Sequence, residues 1–158
     1  MAQRTTGKGT SINSRFLPAS TKKIDWKQYQ GQNVLDVGGG KFDNLKDYLF
    51  ETYNIRLYIY DPYNRGEDEN KIALSCNPAA VISNNVLNVV DCDESLIQII
   101  DLISSYNVPY HISVHEGDRS GVGKITGKDS YQRHLKTKGY LRFFEGKPVV
   151  IKDKVIMG

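Results

Sequence analysis

Between residues 34 and 60, short apolar runs alternate with helical spacing. Val34-Leu35-Asp36-Val37, cut off by Gly38, Gly39 and Gly40, predicts a short buried strand. Phe42, Leu45, Tyr48 and Leu49 then recur at helical intervals over 42–50. Asp43 and Asp47 stand at the N-terminal end of that stretch, where acids complement the helix dipole. Arg56–Tyr60 predicts a second strand, ended by Asp61-Pro62. The segment RGEDENK (65–71) predicts an exposed acidic loop, and Ile72-Ala73-Leu74 a short third strand. Val81-Ile82-Ser83 predicts a fourth strand, followed by Asn84-Asn85 and a helix over 94–105 with apolar residues at 96, 97, 99, 100, 102 and 103. A fifth strand is expected over 110–114. Strands separated by helical stretches indicate an α/β fold with a mainly parallel sheet.

The last forty residues read differently. Gly121, Gly123 and Gly127 mark a loop, followed by the basic, aromatic-bearing stretch SYQRHLKTKGYLRFFEG. Val149-Val150-Ile151 and Val155-Ile156-Met157, joined by residues 152–154, predict a closing C-terminal β-hairpin. Residues 1–15 are charged and rich in Gly, Ser and Thr, which predicts a flexible basic arm ahead of a single domain over 16–158. A chain of 158 residues suits one compact domain.

Net charge sharpens this division. The total of +3 splits into +5 over residues 1–30, −8 over 31–117 and +6 over 118–158. Basic ends around an acidic middle fit either solvated surface or contact with a polyanion. In the C-terminal stretch, Tyr131, Tyr140, Phe143 and Phe144 lie among Lys128, Arg133, Lys136, Lys138 and Arg142. Such residues suit nucleic acid, cations on phosphates and rings on bases, or a core whose cations stay in water. A protein partner is a further option. No apolar run approaches the roughly 20 residues of a membrane span, and the N-terminus lacks a secretory apolar core. With only Cys76 and Cys92, neither a disulfide framework nor a zinc site is expected, and a cytoplasmic location is the default.

Candidate chemistry gathers where the first strand ends. Glycines there admit positive φ and close approach of a ligand to the backbone, and an acid ending the second strand suits ribose hydroxyls. A dinucleotide fingerprint needs G-x-G-x-x-G and a P-loop needs G-x-x-x-x-G-K-[ST]; GGGKFD supplies neither. Asp36 before the glycines would repel a pyrophosphate and suits a cationic ligand. A nucleoside pocket and a purely structural turn both remain open.

VLDVGGG, then YDP after the second strand and VISNNVLNVVD after the fourth, resembles the class I S-adenosylmethionine-dependent methyltransferase superfamily. Tyr60-Asp61-Pro62-Tyr63, Val86-Leu87-Asn88-Val89-Val90 and Gly127–Gln132 are similar to strings in the methyltransferases associated with DNA phosphorothioation. The resemblance spans roughly residues 17–145 and implies a Rossmann-like three-layer sandwich that uses S-adenosyl-L-methionine. It implies that Asp36, Gly38, Gly39 and Gly40 line the methionine part of the ligand. Asp61, with Pro62, would hold the ribose, Cys76 and Asn77 would lie near the adenine, and Ser83, Asn84 and Asn85 would face the cofactor and the methyl-transfer position. Phe42 departs from the pattern, because many members carry a further glycine there.

Methyl transfer from a sulfonium needs alignment and a route for the acceptor's proton, with no metal. Asn85, Gln132 and His134 are the candidate catalytic residues. Asp61-Pro62-Tyr63-Asn64 resembles the D-P-P-Y box of amino-methylating DNA enzymes, but that box belongs after the fourth strand. No Pro-Cys pair exists to attack a cytosine. His111, His115 and Glu116 lie on or beside one strand, where three metal ligands rarely converge. A catalytically silent module of the same fold, binding cofactor or a protein partner, is the competing expectation.

Overall fold

A computed structural model of the chain describes residues 16–128 and 130–158; the arm expected over 1–15 lies outside them. A six-stranded sheet runs β2-β1-β3-β4-β8-β7. Its parallel part comprises β1 (Asn33–Val37), β2 (Arg56–Tyr60), β3 (Ala80–Asn84) and β4 (Tyr110–Ser113). The C-terminal hairpin of β7 (Val150–Lys152) and β8 (Val155–Met157) adds to β4 in antiparallel fashion. The α/β sandwich and its closing hairpin agree with the sequence pattern.

Alternation along the strands builds a core on each face. Leu35, Val37, Val81 and Ile112 face α3 (Asp93–Ser104), with Leu96, Ile100 and Ile103, and the 3₁₀ segment Thr137–Phe144, with Tyr140 and Phe144. Val34, Leu57, Ile59 and Ile82 face α1 (Asn44–Tyr53), which contributes Leu45 and Leu49, and the N-terminal segment carrying Ile24, Trp26 and Tyr29. Each fully buried Leu or Ile stabilises the fold by roughly 1.5–3 kcal/mol. Tyr140 and Phe144 are core residues, so neither ring is available to stack on a base. Arg133 is also buried, and it donates to the Val90 carbonyl and to Asp93.

Three expectations need correction. Residues 72–74 form no strand; they end α2 (Glu67–Leu74), which also takes up most of the predicted acidic loop. Glu67, Asp68 and Glu69 occupy its first turn, Lys71 pairs with Glu67 one turn back, and Ala73 is buried while Ile72 is exposed. The i,i+4 ion pair and the acids where the dipole favours them are the marks of a helix. The strands expected as fourth and fifth are therefore β3 and β4. The glycine-marked segment 121–127 is not all loop, because β5 (Lys124–Gly127) pairs with β6 (Ser130–Gln132) in a small separate hairpin.

Candidate functional site

The order β2-β1-β3 reverses direction at β1, and in open parallel sheets ligands bind outside the carboxyl ends of the strands at such a switch. A cavity of about 400 Å³ opens there. Val37 and Gly38 from the end of β1, and Tyr60, Asp61, Pro62 and Tyr63 from the end of β2, form one side. Val86, Val89 and the stripe Ser95, Gln98, Ile99 and Leu102 of α3 form the other. The walls are mostly apolar, with hydroxyl and amide groups from Tyr60, Tyr63, Ser95 and Gln98.

The glycine turn is built by close packing. Gly38 sits at φ +80°, and a Cβ there would lie 2.4 Å from Val86 Cγ2. A Cβ on Gly39 would lie 2.6 Å from Asp36 Oδ2 and 2.8 Å from Ile59 Cγ2. Asp61, 1% exposed, fastens this turn to the β2 turn. Its Oδ2 accepts from the Gly40 N–H at 2.9 Å and from Asn64 Nδ2 at 3.2 Å. Its Oδ1 accepts from the N–H groups of Tyr63 and Asn64 at 3.0 and 3.1 Å. These four bonds use the carboxylate's whole acceptor capacity, so Asp61 shapes the cavity wall and offers ribose hydroxyls no vacant lone pair. The Arg65 guanidinium completes the clamp, donating to the carbonyls of Gly40 (2.7 Å) and Phe42 (2.9 Å) and pairing with Asp43 and Glu69.

Asp36 lies beneath Gly39, 4% exposed, and its Oδ1 has no hydrogen-bond partner. Burial, then the neighbouring Asp61 charge, raise its pKa from the ordinary 3.8 to about 7, against an opposing pull from Arg65. Asp36 is not among the residues that line the cavity.

The other expected site residues divide by position. Ser83 is buried, its hydroxyl donating to the Val37 carbonyl at 3.0 Å, and so ties β3 to β1. Asn84 Oδ1 accepts from the hydroxyls of Ser20 and Ser113. Asn85, at φ +59°, lines a second cavity of about 260 Å³ at the carboxyl ends of β3 and β4. Gln132 and His134 reach neither ligand space directly, yet both brace a wall of that second cavity. Gln132 donates to the His115 carbonyl, and His134 Nδ1 accepts from the Asp118 N–H at 2.9 Å. Cys76 and Asn77 lie at the other end of the sheet. The Cys76 carbonyl accepts from Asn33 Nδ2 at the start of β1, and Asn77 borders Gly31–Asn33 and Arg56. With 67–74 helical, the chain has already returned to the amino ends of the strands at this point, far from the glycine turn.

The stripe at 95, 98, 99 and 102 escapes sequence reasoning because its i, i+3, i+4, i+7 spacing reads only as a sheet-packing face. Tyr60 and Tyr63 were legible as neighbours of Asp61. Among the described residues, no group of three or more His, Cys, Asp or Glu side chains is placed to hold a metal, and no helix is long and apolar enough to cross a membrane. His111 is buried, with Nε2 2.9 Å from the Tyr29 hydroxyl.

No protein-family model and no curated protein matches the chain. Among solved structures, the crystal structure of an MtNAS mutant matches with a TM-score of 0.42 and 9% identity, over 87% of this chain and 56% of that one. This chain thus spans just over half of that protein's length, and a likeness at this level carries no argument about chemistry.

Proposed function

We propose that the chain binds S-adenosyl-L-methionine in the larger cavity and transfers its methyl group, with nucleic acid as the acceptor class. The observation that carries this reading is the coincidence of three features at one point. They are a topological switch, a glycine turn and a mostly apolar cavity of about 400 Å³, within the range of small-molecule sites. When bound, the cofactor would supply an electrophilic methyl group. Gly38 would admit the ligand to the backbone, and Val86, Val89, Ile99 and Leu102 would exclude water from its apolar part. Ser95 and Gln98 would meet its polar edges, while Asp61 and Arg65 keep the turn in shape.

The test is calorimetric titration of S-adenosylmethionine and S-adenosylhomocysteine into wild type and Ser95→Trp, which places an indole in the cavity. Micromolar binding, about −8 kcal/mol, is expected for wild type and its loss for a folded Ser95→Trp. Absence of binding by either ligand to folded wild type would overturn the proposal. A second reading, a module that binds cofactor without turnover, is favoured by the engagement of Gln132 and His134 in bracing bonds. Binding with no methylated product across DNA, RNA and protein acceptors would select it.

A further inference from the structure

The charge asymmetry of the chain converges at the second cavity. Lys23 comes from the basic N-terminal segment, and Arg119 and Lys154 come from the basic C-terminal one, yet all three line the same space of about 260 Å³. The acidic middle contributes one carboxylate, Glu116. That carboxylate is already engaged: Oε1 pairs with Arg119 Nε at 3.2 Å and with Lys154 Nζ at 3.3 Å, and Oε2 accepts from the Thr137 N–H at 2.7 Å. Lys23 Nζ donates to the Asp153 carbonyl at 2.8 Å and, among the described residues, pairs with no carboxylate. Three cations against one anion leave a net charge of +2. Asp118, nearby in sequence, pairs instead with Lys124.

The wall that carries these groups is built in advance. Gly117 sits at φ +59° against the His134 ring, where a Cβ would lie 2.0 Å from Nδ1. The Gly121 N–H donates to the His134 carbonyl at 2.8 Å, and Gln132 holds His115 by its carbonyl. Opposite, Ser20 and Ser113 share Asn84 Oδ1, which fixes a polar floor beside Asn85. Excess positive charge above fixed hydroxyl and amide groups suits a compact oxyanion.

We propose that this cavity is a phosphate-binding subsite, with Lys23, Lys154 and Arg119 as its cations. Asn85 lines it while Val86, the next residue, lines the larger cavity. Resting on the methyltransferase reading, this adjacency makes the acceptor a phosphorylated molecule held by its phosphate. The phosphate site itself stands without that reading.

The test is an amide-resolved NMR titration of inorganic phosphate into the full chain with no cofactor present. Saturable shifts are expected at His115, Glu116, Gly117 and Lys154. Lys23→Glu should weaken binding about tenfold or more, whereas Lys71→Glu, the same charge change on α2, should stay within about twofold. Lys23→Gln, which keeps a donor for Asp153, serves if the charge reversal unfolds the chain, and should still weaken binding. Shifts confined to other amides, or equal weakening by Lys23→Glu and Lys71→Glu, would overturn the site. Titrating a nucleoside 5′-monophosphate and a short single-stranded oligonucleotide separates the sources. Tighter binding of either than of phosphate, at the same amides and lost in the same variants, supports the site and identifies which of the two it takes. Failure of phosphate to bind leaves the cofactor titration unaffected, so the two readings fail separately.

Discussion

The two cavities are lined by consecutive residues, Asn85 and Val86, but their charged groups are used in different ways. Around the larger one, Asp61 and Arg65 direct their polar atoms into the chain, onto Gly40, Phe42, Asp43, Tyr63 and Asn64. What faces the ligand space is mostly apolar wall, so recognition there rests on shape and excluded water. Around the smaller one, the cations outnumber the single carboxylate, and recognition rests on uncompensated charge. A mutation in the turn that walls the first cavity should therefore be felt mainly in stability. A mutation at the second should be felt mainly in the binding of anions and in salt dependence.

The largest effect is expected at Gly38. An alanine there adds a Cβ 2.4 Å from Val86 Cγ2 at φ +80°, combining overpacking with left-handed strain. Gly38→Ala should destabilise by about 3 kcal/mol and lower Tm by roughly 10 °C in a chain of this size. The double variant with Val86→Ala should lose less than the two single losses combined, because the smaller side chain removes the overlap. Equal, additive losses in thermal unfolding would show that the turn does not depend on this contact. Next comes Asp61→Asn. One oxygen becomes an NH₂ facing N–H donors, and a loss of about 2 kcal/mol in urea unfolding is expected. No change in the urea midpoint would remove Asp61 from its clamping role.

That clamp also shows what the sequence could and could not disclose. The strands at 34–37, 56–60 and 81–83 were legible because buried parallel strands are short apolar runs between breakers. The hairpin at the C-terminus was legible from two apolar triplets, rich in β-branched residues, around a charged turn. Residues 72–74 misled because Ile-Ala-Leu carries no period of its own. The deciding signal lay upstream, in three acids at a helix start. The role of Asp61 was half legible: an acid ending the second strand was located correctly. That its four acceptor positions close on its own chain depends on Gly40, 21 residues away, and on the turn at Tyr63-Asn64. Pairwise geometry of this kind leaves no mark in spacing. The same holds for Lys23, Arg119 and Lys154, whose meeting requires the N-terminal segment, the β4 end and the β7–β8 turn to be folded together.

Asp36 offers a smaller effect with an unusual sign. Its carboxyl titrates at about 7 in the fold, mainly through burial, against an ordinary 3.8. The folded state keeps a proton that the unfolded state has released, so stability falls as pH rises from about 4 and reaches its full penalty above about 7. Asp36→Asn removes that slope. Its amide also brings buried N–H groups in need of acceptors, which offsets part of the gain, so a net stabilisation of about 1 kcal/mol at pH 8 is expected. The two stability curves should cross between about pH 6 and pH 7, with wild type the more stable protein at pH 5. Parallel curves across that range would mean that Asp36 is not the titrating group.

Glu116 carries the finest prediction, because it sets stability against binding at a single side chain. The Thr137 N–H, and then Lys154, hold its pKa at about 2, below the ordinary 4.5. A depressed carboxylate stabilises the fold above about pH 4.5, and that contribution is lost as pH falls toward 2. Glu116→Gln should therefore be slightly less stable than wild type at pH 7 and should lack its acid-range slope. Gln Oε1 still accepts from Thr137, so the wall remains in place. Arg119 and Lys154 lose their shared anion, however, and the net charge of the cavity rises from +2 to +3. Phosphate should then bind more tightly to the less stable protein, by a few-fold at low salt, with the gain shrinking as ionic strength rises. Weaker phosphate binding in a folded Glu116→Gln would mean that the carboxylate positions the cations for the ligand rather than neutralising them. The charge argument for the second cavity would then fail while its geometry stood.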